Sequence, residues 1–307
     1  LDWVLPAETP AQPPQTTVPA GTGPAHLINL SARGLVESAN ALVAGFVISG
    51  SAAAGATLLV RAAGPSLQTV GVPAAQCIAA TRLQIYSASG QVVAANTGWT
   101  SAPDGGAGAA QAAAESGAFP LVSWAGGGGD SALVDTLPPG AYTAVVSPAP
   151  GLPAADLSGK IGLVEIYDLS PANGNRLVNL SCRGAIGAES LVLGLTVSGP
   201  GSERLLLRGA GPALSLFGIS PVLTHPALTL FDSGGGELAA NAGWSASAQA
   251  DQIATLGAEA GAFPFASGGA DAALVALAAP GSVTATLAAA PGYPAQGTGL
   301  IEVYAAP

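Results

Sequence analysis

Apolar positions along the chain fall in short runs broken by Gly, Pro, Ser and Asn, and these runs predict strands. Leu42, Phe46 and Ile48 against Val43 and Val47 mark a strand apolar on both faces. After Ser49-Gly50-Ser51, which reads as a hairpin turn, Thr57–Arg61 forms the next strand. Arg82–Tyr86 alternates polar and apolar residues and turns at Ser87–Gly90 into Gln91–Ala94. Leu27–Arg33, Ser131–Leu137, Ala141–Ser147 and Leu163–Leu169 bring the count to about eight. Two Ala-rich segments, Gln111–Ser116 and Ala248–Leu256, suit short helices between strands.

The strongest pattern is internal repetition. Asn29-Leu30-Ser31-Ala32-Arg33-Gly34 returns as Asn179-Leu180-Ser181-Cys182-Arg183-Gly184. Arg61-Ala62-Ala63-Gly64-Pro65 returns as Arg208-Gly209-Ala210-Gly211-Pro212, and Asn96-Thr97-Gly98-Trp99 as Asn241-Ala242-Gly243-Trp244. Gly117-Ala118-Phe119-Pro120 returns as Gly261-Ala262-Phe263-Pro264, and Asp130 with its following strand as Asp271. Gly162-Leu163-Val164-Glu165-Ile166-Tyr167 returns as Gly299-Leu300-Ile301-Glu302-Val303-Tyr304. These collinear matches predict two tandem all-β sandwiches of jelly-roll or Greek-key topology, about eight strands each and Ig-like in size. The expected layout is an arm over 1–26, repeat 1 over 27–170, a linker over 171–176 and repeat 2 over 177–307.

The motifs Asn-Leu-Ser-x-Arg-Gly, Gly-Pro-x-Leu, Asn-x-Gly-Trp and Gly-Leu-Val/Ile-Glu-Ile/Val-Tyr resemble a tandem repeat of large secreted proteins of environmental bacteria. The resemblance covers both copies. It implies an exported β-domain and attaches no chemistry to it.

Charge narrows the function. Eight Lys and Arg face eighteen Asp and Glu, for a net charge of −10. So few cations cannot build the positive surface that phosphate backbones require, which argues against nucleic-acid partners. The uncharged stretch from Glu37 to Arg61 is long enough to test as a membrane span. Its counterpart places Glu203 and Arg204 at the central turn, so two strands and no membrane span are expected. Residue 1 is Leu and the sequence contains no Met. Loss of a signal peptide and a secreted or cell-surface location are the expectation. Cys77 and Cys182 are the two cysteines, and an even count allows one disulfide, two buried thiols or a link between chains.

Arg61 and Arg208 recur inside apolar runs, as do Glu165 and Glu302, which predicts one buried ion pair per copy. Arg33 and Arg183 are alternative partners. Trp99, Trp244, Phe119 and Phe263 recur and read as core anchors. Asp130 and Asp271 follow Gly-rich loops, where turn chemistry outweighs Ca²⁺ binding because each loop offers one acid. His26 and His225 occupy unmatched positions without neighbouring ligands, so no zinc site is expected. No nucleophile elbow or phosphate loop occurs, and the sequence predicts neither an enzyme nor a cofactor. Asn29 and Asn179 match the glycosylation sequon inside predicted strands, where a chance match is the default. Trp3 and Trp124 are unmatched between copies and are candidates to face a partner.

Residues 1–26 lie outside both repeats. Leu1, Trp3, Val4 and Leu5 form a strand-like apolar head, and Pro6–Gly23 reads as an extended tether. Such an arm suits strand addition to a neighbouring copy. The expected function is an extracellular, non-enzymatic structural subunit that self-assembles into a filament or surface layer. The alternative is a cell-surface adhesion or glycan-binding module of a larger secreted protein.

Overall fold

The computed structural model describes residues 25–38, 40–51, 55–122, 129–157 and 159–306. The apolar head Leu1, Trp3, Val4 and Leu5, and Trp124, lie outside them. The fold is all-β, in two compact units, Ile28–Leu177 and Val178–Pro307.

The first unit contains β1 (His26–Val36), β2 (Leu42–Ser49), β3 (Ala56–Ala63), β4 (Thr81–Ser87), β5 (Val92–Thr97), β6 (Ser131–Leu137), β7 (Gly140–Pro148) and β8 (Lys160–Asp168), with helix α1 (Ala107–Ser116). The following strand pairings are antiparallel. β8 bonds β1 and β3, and β3 bonds β6. β7 bonds β2 and β4, and β4 bonds β5. The orders β1-β8-β3-β6 and β2-β7-β4-β5 are those of an eight-stranded jelly roll. The second unit contains β9 (Arg176–Ile186), β10 (Leu191–Ser198), β11 (Glu203–Ala210), β12 (Pro226–Phe231), β13 (Glu237–Asn241), β14 (Ala272–Ala278), β15 (Gly281–Ala289) and β16 (Gly297–Ala306), with helix α2 (Ala250–Glu259). Its orders, β9-β16-β11-β14 and β10-β15-β12-β13, repeat the topology.

Three expectations are corrected. β2 and β3 are not a hairpin, because β2 bonds β7 whereas β3 bonds β6 and β8. Local apolarity identified both strands, but their partners lie about a hundred residues downstream. β2 is also buried on one face only, with Leu42, Ala44, Phe46 and Ile48 inside and Val43 and Val47 half-buried. Most of the expected linker belongs to unit 1. The side-chain amides of Asn173 and Asn175 both donate to the Gly55 carbonyl at 2.7 Å, and Asn175 is fully buried.

Alternation along β3 divides its side chains between two layers. Leu58, Val60 and Ala62 point one way, and Leu59, Arg61 and Ala63 the other. Leu59 packs with Ala132, Tyr167 and the buried Ala109, Ala112 and Ala113 of α1. Ala63 packs with Leu67, Cys77, Ile161 and Leu163. One face of the β1-β8-β3-β6 sheet is therefore roofed by α1 and the turns around it. Alanine favours the helix, and its spacing at 109, 112 and 113 keeps one face small enough to dock closely. Asp104 accepts from the Gly106 and Gly108 N–H groups at 2.9 and 2.7 Å, and Gly117 ends the helix in the left-handed region, φ +71°. Among the described residues, no helix is long and apolar enough to cross a membrane.

Candidate functional site

The recurrent residues converge beneath this roof. Arg61 and Glu165 are directly opposed across β3 and β8, and Nη2 of Arg61 stands 3.0 Å from Oε2 of Glu165. Nη1 donates to the Phe119 carbonyl at 2.7 Å, and the guanidinium carbon lies 4.5 Å from the Phe119 ring centre. Tyr167 donates to Oε1 of Glu165 at 2.6 Å. Burial pushes the Glu165 carboxyl upward, and Arg61 and the Tyr167 hydroxyl partly offset that. Burial and the adjoining carboxylate push the Tyr167 hydroxyl far upward. The second unit repeats the cluster. Arg208 and Glu302 are opposed across β11 and β16 at 3.0 Å, and Tyr304 donates to Glu302 at 2.8 Å. Arg208 also donates to the Phe263 carbonyl. Burial raises Glu302, again against Arg208 and Tyr304.

Asp130 and Asp271 are buried and bind the chain itself. Asp130 accepts from the N–H groups of Gly64 and Ser66 at 2.7 and 3.3 Å and from the Ser66 hydroxyl. Asp271 accepts from Gly211 and Ala213 at 2.8 and 3.2 Å. Each carboxylate holds the 3-10 turn that leaves a Gly-Pro pair. At Gly211 the space is closed by the Leu223 carbonyl, 2.0 Å from where a Cβ would stand. Asn96 and Asn241 likewise accept from the Ala132 and Ala273 N–H groups at 3.1 and 3.0 Å. Asn29 is buried, and its amide donates to the Ile166 carbonyl at 3.3 Å, which withdraws it from glycosylation.

The aromatic anchors are roof pieces rather than centres of the core. Trp99, Trp244, Phe119 and Phe263 are all half-buried. Trp99 donates its indole N–H to the Val122 carbonyl and Trp244 to the Ala266 carbonyl, both at 3.2 Å. The fully buried apolar residues are the strand aliphatics and Phe46. Of the alternatives open for the cysteines, the structure has two buried thiols: Cys77 and Cys182 are free and buried. Cys77 packs beside Leu67 and Ile161 within the first unit, and Cys182 lies on β9 of the second. Burial raises both thiols. His225 stacks on Tyr293 with ring centres 3.6 Å apart. Among the described residues, no three His, Cys, Asp or Glu side chains are grouped to hold a metal ion.

The units differ on the roof. In unit 2, Phe265 stands where unit 1 has Leu121, and Phe217 where unit 1 has Val70. Ring centres of Phe217 and Phe263 are 5.0 Å apart, Phe263 and Phe265 5.7 Å, and Phe265 and Trp244 6.4 Å. Trp244, Phe263 and Phe265 of this row line an open cleft of about 140 Å³ together with Arg208, Ile253 and Gly257. Leu216 and Phe217 beside it are 76% and 59% exposed. Attention to recurrence missed the cleft. Its signal is the opposite one, the positions where otherwise matched copies diverge toward aromatics.

No family model matches the chain, and no curated protein matches it. Eleven chains of solved structures match. One is a protein of Eubacterium rectale presumed to be secreted, with 7% identity and a TM-score of 0.19, over 85% of this chain and 69% of that one.

Proposed function

We propose that the chain is an extracellular, non-enzymatic structural subunit that associates with other copies of itself, its N-terminal arm adding to a neighbour. One observation carries the reading: the repeated chemistry-bearing side chains are spent inside their own units. The Arg-Glu pairs, both Asp residues and the Asn pair at 96 and 241 bind each other or the local main chain. What recurs is a scaffold.

The edges support association. β14 is capped on its outer side by side chains: Asn241 accepts from Ala273, and Gln249 exchanges two hydrogen bonds with Val275, both at 3.0 Å. β5 and β13 each bond one named neighbour strand, β4 and β12. The matched residues Val93 and Leu238 on them are 44% and 46% exposed. An edge strand with exposed apolar residues and no lysine is open to pairing with another chain.

Electron microscopy and sedimentation of the concentrated chain test the proposal. Ordered assemblies that vanish on Val93→Lys with Leu238→Lys are expected. A monodisperse chain at millimolar concentration would overturn the reading. The aromatic row of unit 2 favours a second reading, adhesion to a glycan. Glycan-array binding lost on Phe265→Leu would shift the weight to it.

A further inference from the structure

The cleft of unit 2 has a definite chemistry. Of the six residues named, only Arg208 and Trp244 carry polar side-chain atoms. The Arg208 guanidinium is held by Glu302 and the Phe263 carbonyl, and the Trp244 N–H by the Ala266 carbonyl. The rest of the lining is apolar, and an unpaired polar group buried against it is costly. The volume of about 140 Å³ resembles the roughly 150 Å³ apolar cavity that accepts benzene. The natural occupant is one aromatic or branched apolar side chain.

We propose that this occupant is the arm of a second copy, with Trp3 seated among Trp244, Phe263 and Phe265. The inference rests on the self-association proposed above and names its receptor. Leu1, Trp3 and Leu5 alternate with Asp2 and Val4 along the sequence. The eighteen residues Pro6–Gly23 that follow span about 55 Å when extended. That exceeds the diameter of one unit, about 35 Å for a domain of this size. The receptor adjoins an open edge, because β13 ends at Asn241, three residues before Trp244. The head is, Asp2 apart, uncharged, and so, Arg208 apart, are the cleft residues. Unit 1 has Leu121 and Val70 at the two variable positions.

The test mixes two full-length chains, one carrying Leu5→Cys and the other Ala258→Cys on the exposed rim of the cleft. The native thiols are buried and stay out of the reaction. Under mild oxidation the mixed disulfide dimer is expected to exceed either like-with-like dimer. Trp3→Ala in the first chain lowers its yield about tenfold, the usual effect of truncating an aromatic anchor. Phe265→Leu in the second chain does the same, and Leu121 shows that the fold accepts leucine there. Should Phe265→Leu not fold, Trp3→Ala alone decides, since residue 3 is no part of the cleft lining. Dimers in statistical proportion, or a yield indifferent to Trp3→Ala, overturn the proposal. So does a disulfide that forms only within a doubly substituted chain at high dilution. Light scattering on the same samples separates the two readings. Association without the mixed disulfide rejects the cleft as receptor, whereas no association at all rejects the structural function.

Discussion

The guanidinium carbon of Arg208 sits 3.9 Å from the ring centre of Phe265. It also lies 4.5 Å from Phe263, whereas the matched Arg61 meets Phe119 at the same 4.5 Å. The ion pair is common to both units, and the second ring belongs to unit 2. Breaking either pair leaves a buried charge, so Glu165→Ala and Glu302→Ala are each expected to destabilise by about 3–5 kcal/mol in chemical denaturation. Replacing both partners, as in Arg61→Met with Glu165→Leu, is expected to cost less than either single change.

The two aspartates differ in what they leave behind. Asp130→Ala orphans two N–H groups and the Ser66 hydroxyl, while Asp271→Ala orphans two N–H groups. Each buried orphan costs about 1–3 kcal/mol. Thermal unfolding should therefore show Asp130→Ala as the more damaging by roughly one such group.

Gly106 has φ +86°, and a Cβ there would stand 2.5 Å from a carbon of the Trp99 ring. Gly106→Ala combines backbone strain with displacement of the indole from the roof. A loss of about 2–3 kcal/mol is expected in denaturant titration.

The thiols and tyrosines set the alkaline limit. Burial raises Cys182, Tyr167 and Tyr304 above their unfolded values. A raised folded pKa contributes stability below the unfolded value, about 8.5 for Cys and 10 for Tyr, and that contribution is lost as pH rises toward the folded value. Stability should fall from about pH 9 upward, with a shallower slope in the Tyr167→Phe, Tyr304→Phe variant. At pH 8 neither cysteine should take up an alkylating reagent until denaturant is added, as read by mass spectrometry.

Repetition made much of this legible in the sequence. Recurrence of Arg61 with Glu165 and of Arg208 with Glu302 marked residues that a charge-poor apolar run tolerates only in pairs. Strand positions followed from alternation. Strand partners did not, because β3 meets β8 across a hundred residues and no local signal encodes that register. Trp99 and Phe119 recur because they hold the roof on, and recurrence alone does not separate a roof from a core. The cleft was hidden for a related reason: Phe265 and Phe217 stand out only where the copies are compared for difference.

The closure of each sheet has a consequence for biogenesis. Asn29 pairs with Tyr167, and Asn179 with Tyr304, so each unit's first strand waits for its last. Such long-range pairing is slow and yields no stable fragment along the way. At about 5–20 residues per second of synthesis, a nascent unit stays unpaired for roughly ten seconds or more. Each unit is thus completed only when its final strand arrives.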